Sequence, residues 1–179
     1  MKYTLKPEGR LYRIQALRSF AGINEGDFGG LIESAKNLSQ DGNAWVSGDA
    51  WVSGDSQVHG DAQVYGNAQV SGDAQVYGDA QVYGNTWVSG NAQVYGNAQV
   101  YGRAQVSGDA KVSSTPICIT GLLWVVTISD SHIQIGCELH LKTEWATFGK
   151  EKIEAMDSGA AEFWSEHRTA ILRLAKVGV

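Results

Sequence analysis

Residues 42–113 are twelve consecutive copies of one six-residue unit: Gly, Asp or Asn, a small residue, Gln or Trp, Val, then Tyr or Ser. They run from GNAWVS to GDAKVS without an insertion, and His59, Arg103 and Lys111 depart from the pattern. A short fixed period constrains the fold more than local propensity does, because each unit can bury its apolar side only against the next copy. Gly holds the first place and Val the fifth in all twelve units. The third place is Ala in ten, with Ser56 and Thr86 as small substitutes. Residues two apart on an extended backbone share a side, so Ala and Val point inward while Gln/Trp and Tyr/Ser point outward. The Gly-Asp/Asn pair tolerates positive φ and supplies a turn. Each unit therefore predicts one short strand and one corner.

A second period sets the number of strands per coil. Taking the residue after each Val, every third unit gives Ser53, Ser71, Ser89, Ser107; then Ser47, Tyr65, Tyr83, Tyr101; then His59, Tyr77, Tyr95, Ser113. Trp51 and Trp87 fall in the all-Ser series. This 18-residue period predicts a mainly β protein, a three-sided parallel β-helix of four coils. At ~4.8 Å per layer it is about 19 Å long.

The pattern resembles the hexapeptide repeat of the left-handed parallel β-helix class. The Gly-Asn/Asp-Ala-Gln-Val-Tyr wording is closer still to YdcK-like, phage- and prophage-encoded hexapeptide-repeat proteins. The stretch GGLIESAKNLSQ, residues 29–40, resembles their N-terminal lead-in. The left hand is an implication of this resemblance alone, since general chirality favours right-handed crossovers.

The flanks lack the repeat. Residues 1–41 read as an N-terminal cap: strands over 3–5 and 11–17 split by a turn at Pro7-Glu8-Gly9, a loop at 26–30, and Leu31, Ile32 and Leu38 beginning the first coil. A cap is needed because a β-helix end exposes unpaired edges. Pro116 ends the repeat, and residues 114–179 predict a small α+β capping and interaction domain. Its strands are 122–129 and 132–137, joined by Asp130-Ser131, and the remainder is helical. Thr143 caps a helix holding Trp145 and Phe148 and closed by Gly149; Ile153 and Met156 add another turn or two. Ser158 caps a last helix over 159–176, with Phe163, His167, Ile171 and Leu174 as its buried stripe. Trp124, Trp145 and Trp164 exceed what so small a domain needs as filling, which predicts at least one of them exposed.

Composition excludes some classes. Residues 42–113 carry two basic and six acidic side chains, so the net charge of −5 sits mostly on the corners. That argues against binding nucleic-acid backbones, which need clustered Lys and Arg. Two cysteines make no disulfide framework and suggest a reduced cytoplasm, here that of a bacterial host. The N-terminus has no apolar run of the signal-peptide kind, and no stretch approaches a membrane span.

Candidate sites are sparse. In the β-helix acyltransferases that the repeat resembles, an outer-face histidine acts as general base, and His59 stands outward. It replaces a Tyr in its own ladder, however, and no extruded loop lies near it. Cys118, His132, Cys137 and His140 form a conceivable zinc set. Both cysteines also suit apolar strand positions as buried free thiols. A Cys137/His140 nucleophile pair lacks a third, orienting group. The Asp/Asn column is open to Ca²⁺ or to mimicry of a DNA surface, but one Asp or Asn per corner more simply favours the turn. No cofactor or metal is expected. The resemblance and the unbroken repeat together imply a non-enzymatic module that binds a bacterial host protein, such as a defence component. The expected assembly is a homotrimer packed through Tyr65, Tyr83 and Tyr101 and through Tyr77 and Tyr95 beside His59. Trp51 and Trp87 are left free for a partner.

Overall fold

The computed structural model describes residues 1–176. The chain opens with an antiparallel hairpin, β1 (Tyr3–Glu8) and β2 (Leu11–Ala16), followed by β3 (Phe28–Ile32) and a 3-10 turn at Ala35–Asn37. β1 is an edge strand, so Pro7 costs no ladder bond and sits inside it; the turn falls at Gly9-Arg10, not at Pro7-Glu8-Gly9. The predicted 26–30 loop is also corrected. β3 runs antiparallel to β2 and pairs in parallel with the repeat strand at Trp51–Val52. A Cβ on Gly29 would lie 2.5 Å from both Ile14 Cγ1 and the Val46 carbonyl oxygen, and one on Gly30 2.5 Å from the Ala50 carbonyl oxygen. These glycines serve close approach of backbones rather than a bend.

The repeat forms twelve short strands: β4 (Trp45–Val46), β5 (Trp51–Val52), β6 (Gln57–Val58), β7 (Gln63–Gly66), β8 (Gln69–Val70), β9 (Gln75–Val76), β10 (Gln81–Gly84), β11 (Trp87–Val88), β12 (Gln93–Val94), β13 (Gln99–Val100), β14 (Gln105–Val106) and β15 (Lys111–Val112). Each of the first nine pairs in parallel with the strand 18 residues on, Gln63 with Gln81 and Val64 with Val82 for example. Three stacks result: β4-β7-β10-β13, β6-β9-β12-β15, and β3-β5-β8-β11-β14, the last extended by the hairpin. β3 and the Leu38–Val58 bridge add a rung beneath the first repeat coil. The protein is thus mainly β, a solenoid of about five turns. Every repeat Val is buried, as are all the Ala, Ser56 and Thr86, in one continuous core. Every corner glycine from Gly42 to Gly108 has positive φ, as the turn requires.

A four-stranded antiparallel sheet follows, β16 (Ile117–Ile119), β17 (Val126–Ile128), β18 (His132–Ile135) and β19 (Glu138–Leu141), then helices α1 (Lys142–Thr147), α2 (Lys150–Glu154) and α3 (Ala160–Leu174). β16 and β19 lie where no strand was expected, and the predicted 122–129 strand is confined to β17. The caps differ too. Thr143 lies inside α1, whose first turn is closed by Glu144 accepting the Leu141 N–H at 2.8 Å, and Phe148 follows the helix end. Asp157, not Ser158, accepts the Gly159 N–H at 3.0 Å ahead of α3. On α3 the buried set is Ala160, Phe163, Trp164, Ile171 and Leu172, with Ala175 buried just past its end; His167 is half-buried and Leu174 is 45 % exposed. The stripe is rotated because the helix packs against α2 and α1 and shares a core with the inner residues of β17 and β18. Trp145 and Trp164 are buried and Trp124 half-buried on Phe163, so none of the three is exposed. The extra aromatics fill a core shared by a sheet and three helices.

Candidate interaction surfaces

The outward residues of the repeat make flat, ordered rows. Tyr65, Tyr83 and Tyr101 stack with ring centroids 4.8 and 5.5 Å apart and planes within 16°. His59, Tyr77 and Tyr95 stack at 5.1 and 5.3 Å, within 9°. The strand spacing of ~4.8 Å dictates this, since identical rotamers on in-register strands place rings at van der Waals separation. Burial between neighbours and the Tyr83 hydroxyl push the Tyr65 phenol above its ordinary pKa. The two stacks flank the corner of Asp61, Asp79 and Asn97. The third stack carries Trp51 and Trp87 beside Ser53, Ser71, Ser89 and Ser107, and Trp87 is 55 % exposed. Trp45 occupies the same repeat slot one unit earlier, yet it is buried edge-on against Phe20 and Tyr3 beneath the N-terminal hairpin.

Each of the three corner columns is tied by a side-chain amide. Asn43 donates to Asp61, Asn67 to Asn85 and Asn91 to Asp109, all within 3.1 Å. Asn43 and Asn91 thereby partly offset the charges of Asp61 and Asp109. Among the described residues no group of three His, Cys, Asp or Glu is placed to hold a metal.

The predicted chemical residues are dispersed. His59 has its ring face against Tyr77. Cys118 is half-buried against the solenoid core, and burial pushes its thiol up despite hydrogen bonds from Arg103 and Thr127. Cys137 is not at an apolar strand position; it is exposed in the tight turn between β18 and β19, beside Gly136 with φ +56°. His140 contacts Glu138 at 3.1 Å and packs edge-on to Trp145 and Phe148. Burial lowers the His132 imidazole, against the opposing charges of Glu144 and Asp109. Cys137 does join Trp124, Trp145, Phe163 and Trp164 around a cavity of about 60 Å³ in the C-terminal region.

Residues that sequence reasoning missed close the solenoid's two ends. Inside the stack each N–H donates to the next turn, as Gln81 N–H does to the Ala98 carbonyl. The first turn therefore presents free carbonyls and the last turn free N–H groups. At the start, Lys2 Nζ donates to the carbonyls of Ala44 (2.8 Å), Gly42 and Asp41 (both 3.4 Å) and lies 5.4 Å from the Phe20 ring. Asn37 Nδ2 donates to the Gly54 and Ser56 carbonyls, both at 2.9 Å. At the finish, acceptors take over. Thr115 Oγ1 receives the Gln99 N–H (3.2 Å), Thr127 Oγ1 that of Gln105 (3.1 Å), and Asp130 that of Ser113 (2.7 Å). Asp130 also accepts the Ser113 and Ser114 hydroxyls. Burial pushes its carboxyl up, but these hydrogen bonds prevail and hold it below the usual range. Nothing in the sequence marks a lysine at position 2 as buried, and Asp130-Ser131 reads there only as a turn.

Residues 62–78, 74–90 and 92–108 match the family model described as the YdcK Beta solenoid repeat. No curated protein matches the chain. The repeat match and the stacked strands agree: the chain carries β-solenoid repeats similar to those of YdcK.

Proposed function

We propose that this is a non-enzymatic interaction protein of phage or prophage origin, acting in the bacterial cytoplasm as a homotrimer that engages a host protein. The observation that carries the reading is the pair of aromatic stacks on adjoining sheets. A cyclic trimer joins two different patches of each subunit, and two flat aromatic faces meeting at one corner suit that geometry. Stacked rings are also already ordered, so little side-chain entropy remains to be lost on contact. In this arrangement the Trp51/Trp87 face looks outward, and the C-terminal region supplies part of the partner surface. The finer fold reading belongs with it: four coils of hexapeptide units, three-sided and left-handed. The 18-residue register supports three sides, and the hand rests on the hexapeptide resemblance.

Light scattering tests the assembly. The wild type is expected at three times the 19.2 kDa chain mass, and Tyr83→Glu with Tyr77→Glu at one. A monomeric wild type, or a trimer indifferent to both charges, overturns the arrangement. Affinity capture from bacterial lysate that yields no stoichiometric protein overturns the host-partner part.

A further inference from the structure

We propose that the outward face carrying Trp51 and Trp87 binds a neutral, extended β-1,4-linked glycan lying along the solenoid axis. The inference rests on the part of the trimer reading that leaves this face outward.

One row of this face, in strand register, is Leu31, Trp51, Gln69, Trp87 and Gln105. The two indoles are therefore two strand steps apart, about 9.6 Å at ~4.8 Å per step. Gln69 lies midway. Packing does not account for these tryptophans. Trp45, in the same slot, fills a core beneath the hairpin, whereas neither Trp51 nor Trp87 has an aromatic ring partner among the described residues. Trp87 is 55 % exposed and Trp51 half-buried, and no other unit on this face carries a Trp, so its use two strand steps apart fits a ligand with that period.

The row beside it is Ser53, Ser71, Ser89 and Ser107, where each of the other two sheets carries three aromatic rings and one Ser. Small hydroxyls leave the indoles uncovered and line a shallow strip with donors and acceptors. Neither row carries a charge from Trp51 to Gln105; the corner on one side holds Asp49 and Arg103, which balance, and the corner on the other holds Asp55, paired with Lys36, and Asp73 and Asp109. An uncharged polymer suits such a strip, which offers a charged chain no counter-charge along its length. At the far end a cleft of about 290 Å³ between Asn85, Trp87, Arg103, Gln105 and Val125 gives room for a chain terminus.

An extended β-1,4 chain shows the same sugar face once per disaccharide, and that repeat is close to two strand spacings. Alternate pyranose rings can then lay their C–H faces, which are partially positive, on the electron-rich indole faces. The ring between them meets the Gln69 amide, which both donates and accepts. An α-1,4 chain coils and cannot keep this registration along a straight row.

The test uses the full chain with chitin and cellulose particles, and amylose resin as the α-linked control. The wild type should be retained by at least one β-linked matrix and pass through amylose. Trp87→Ala should cut retention about tenfold, and Trp51→Ala with Trp87→Ala should abolish it. Thermal melts at the wild-type temperature keep the comparison on binding rather than folding. Tyr83→Glu with Tyr77→Glu should stay bound even where the trimer is lost, which separates this face from the tyrosine faces. No retention of the wild type, retention that survives loss of both tryptophans, or equal binding to amylose overturns the proposal. So does a Trp-dependent capture of a protein with no glycan retention.

Discussion

Lys2 and Tyr3 lie side by side under the first turn, and each resists ionisation in its own direction. Burial, helped by the nearby Arg18 charge and opposed by Asp41 and Asp61, pushes the Lys2 ammonium down from 10.5 to about 8. Burial raises the Tyr3 phenol from 10.0 to about 12, while its hydroxyl donates to the Leu38 carbonyl at 2.6 Å. Between pH 8 and 10.5 the unfolded chain holds a proton on Lys2 that the folded chain has released, so stability rises with pH there, by at most about 3 kcal/mol. From pH 10 to 12 the unfolded Tyr3 ionises and the folded one does not, so stability then falls. Urea titrations across this range should show a maximum near pH 10, and Lys2→Met should remove the rising limb. A second residue-scale prediction concerns Thr86. It takes the small inward place of its unit fully buried, and its hydroxyl has no partner, whereas Ser56 in the equivalent role donates to the Ser53 carbonyl. Thr86→Val keeps the shape and removes the desolvated hydroxyl, and should raise unfolding free energy by about 1 kcal/mol in denaturant titration. A destabilised Val variant would mean that the hydroxyl is satisfied after all.

The corner is the element on which the stack depends. Gly78 has φ +71°, and a Cβ there would lie 3.1 Å from the Gly96 nitrogen of the next turn. Gly102 has nearly the same φ, +72°, with nothing within 4 Å of the built position. Gly102→Ala should therefore cost only the backbone term, about 1–2 kcal/mol. Gly78→Ala should cost more, because adjacent corners must also move apart. Equal losses in chemical denaturation would show that corner stacking adds nothing. The C-terminal sheet is an element with two covered faces. Val126, Ile128, Ile133 and Ile135 face the helices, while the alternate residues Thr127 and Gln134 face the last turn. Gln134 accepts from Ser107 and donates toward Gln105.

Across the whole molecule, the caps follow the polarity of the strands. The first turn lacks donors and receives Lys2 and Asn37; the last turn lacks acceptors and receives Thr115, Thr127 and Asp130. This is the logic of helix capping applied to a parallel stack, and it leaves neither end as a free template for another chain. Deleting residues 116–179 removes Thr127 and Asp130 and uncovers the last turn. The truncated protein should form soluble aggregates or fibres by end-to-end stacking, seen by light scattering and electron microscopy. A monodisperse truncation would show that the end needs no cover. The described residues contain no helix long and apolar enough to cross a membrane.

The solenoid was legible because its information is repeated. Val at every fifth place, Ala two residues before it and Gly at each corner fix which side is buried and where the chain bends, and the 18-residue sorting of Tyr and Ser fixes which strands meet. Those constraints are local and identical from copy to copy, so no distant partner is needed to read them. The candidate surfaces were legible for the same reason, since the tyrosine stacks follow from register alone. The ends were not. Lys2, Thr127 and Gln134 are polar residues that a sequence assigns to solvent, and only the turn lying across them supplies the carbonyl or N–H that makes their burial favourable. Trp45, Trp51 and Trp87 share one repeat slot, yet one is core and two are surface. Whether a hairpin folds over that slot is decided by the tertiary structure, because exposure depends on what covers a position and not on the pattern that places it.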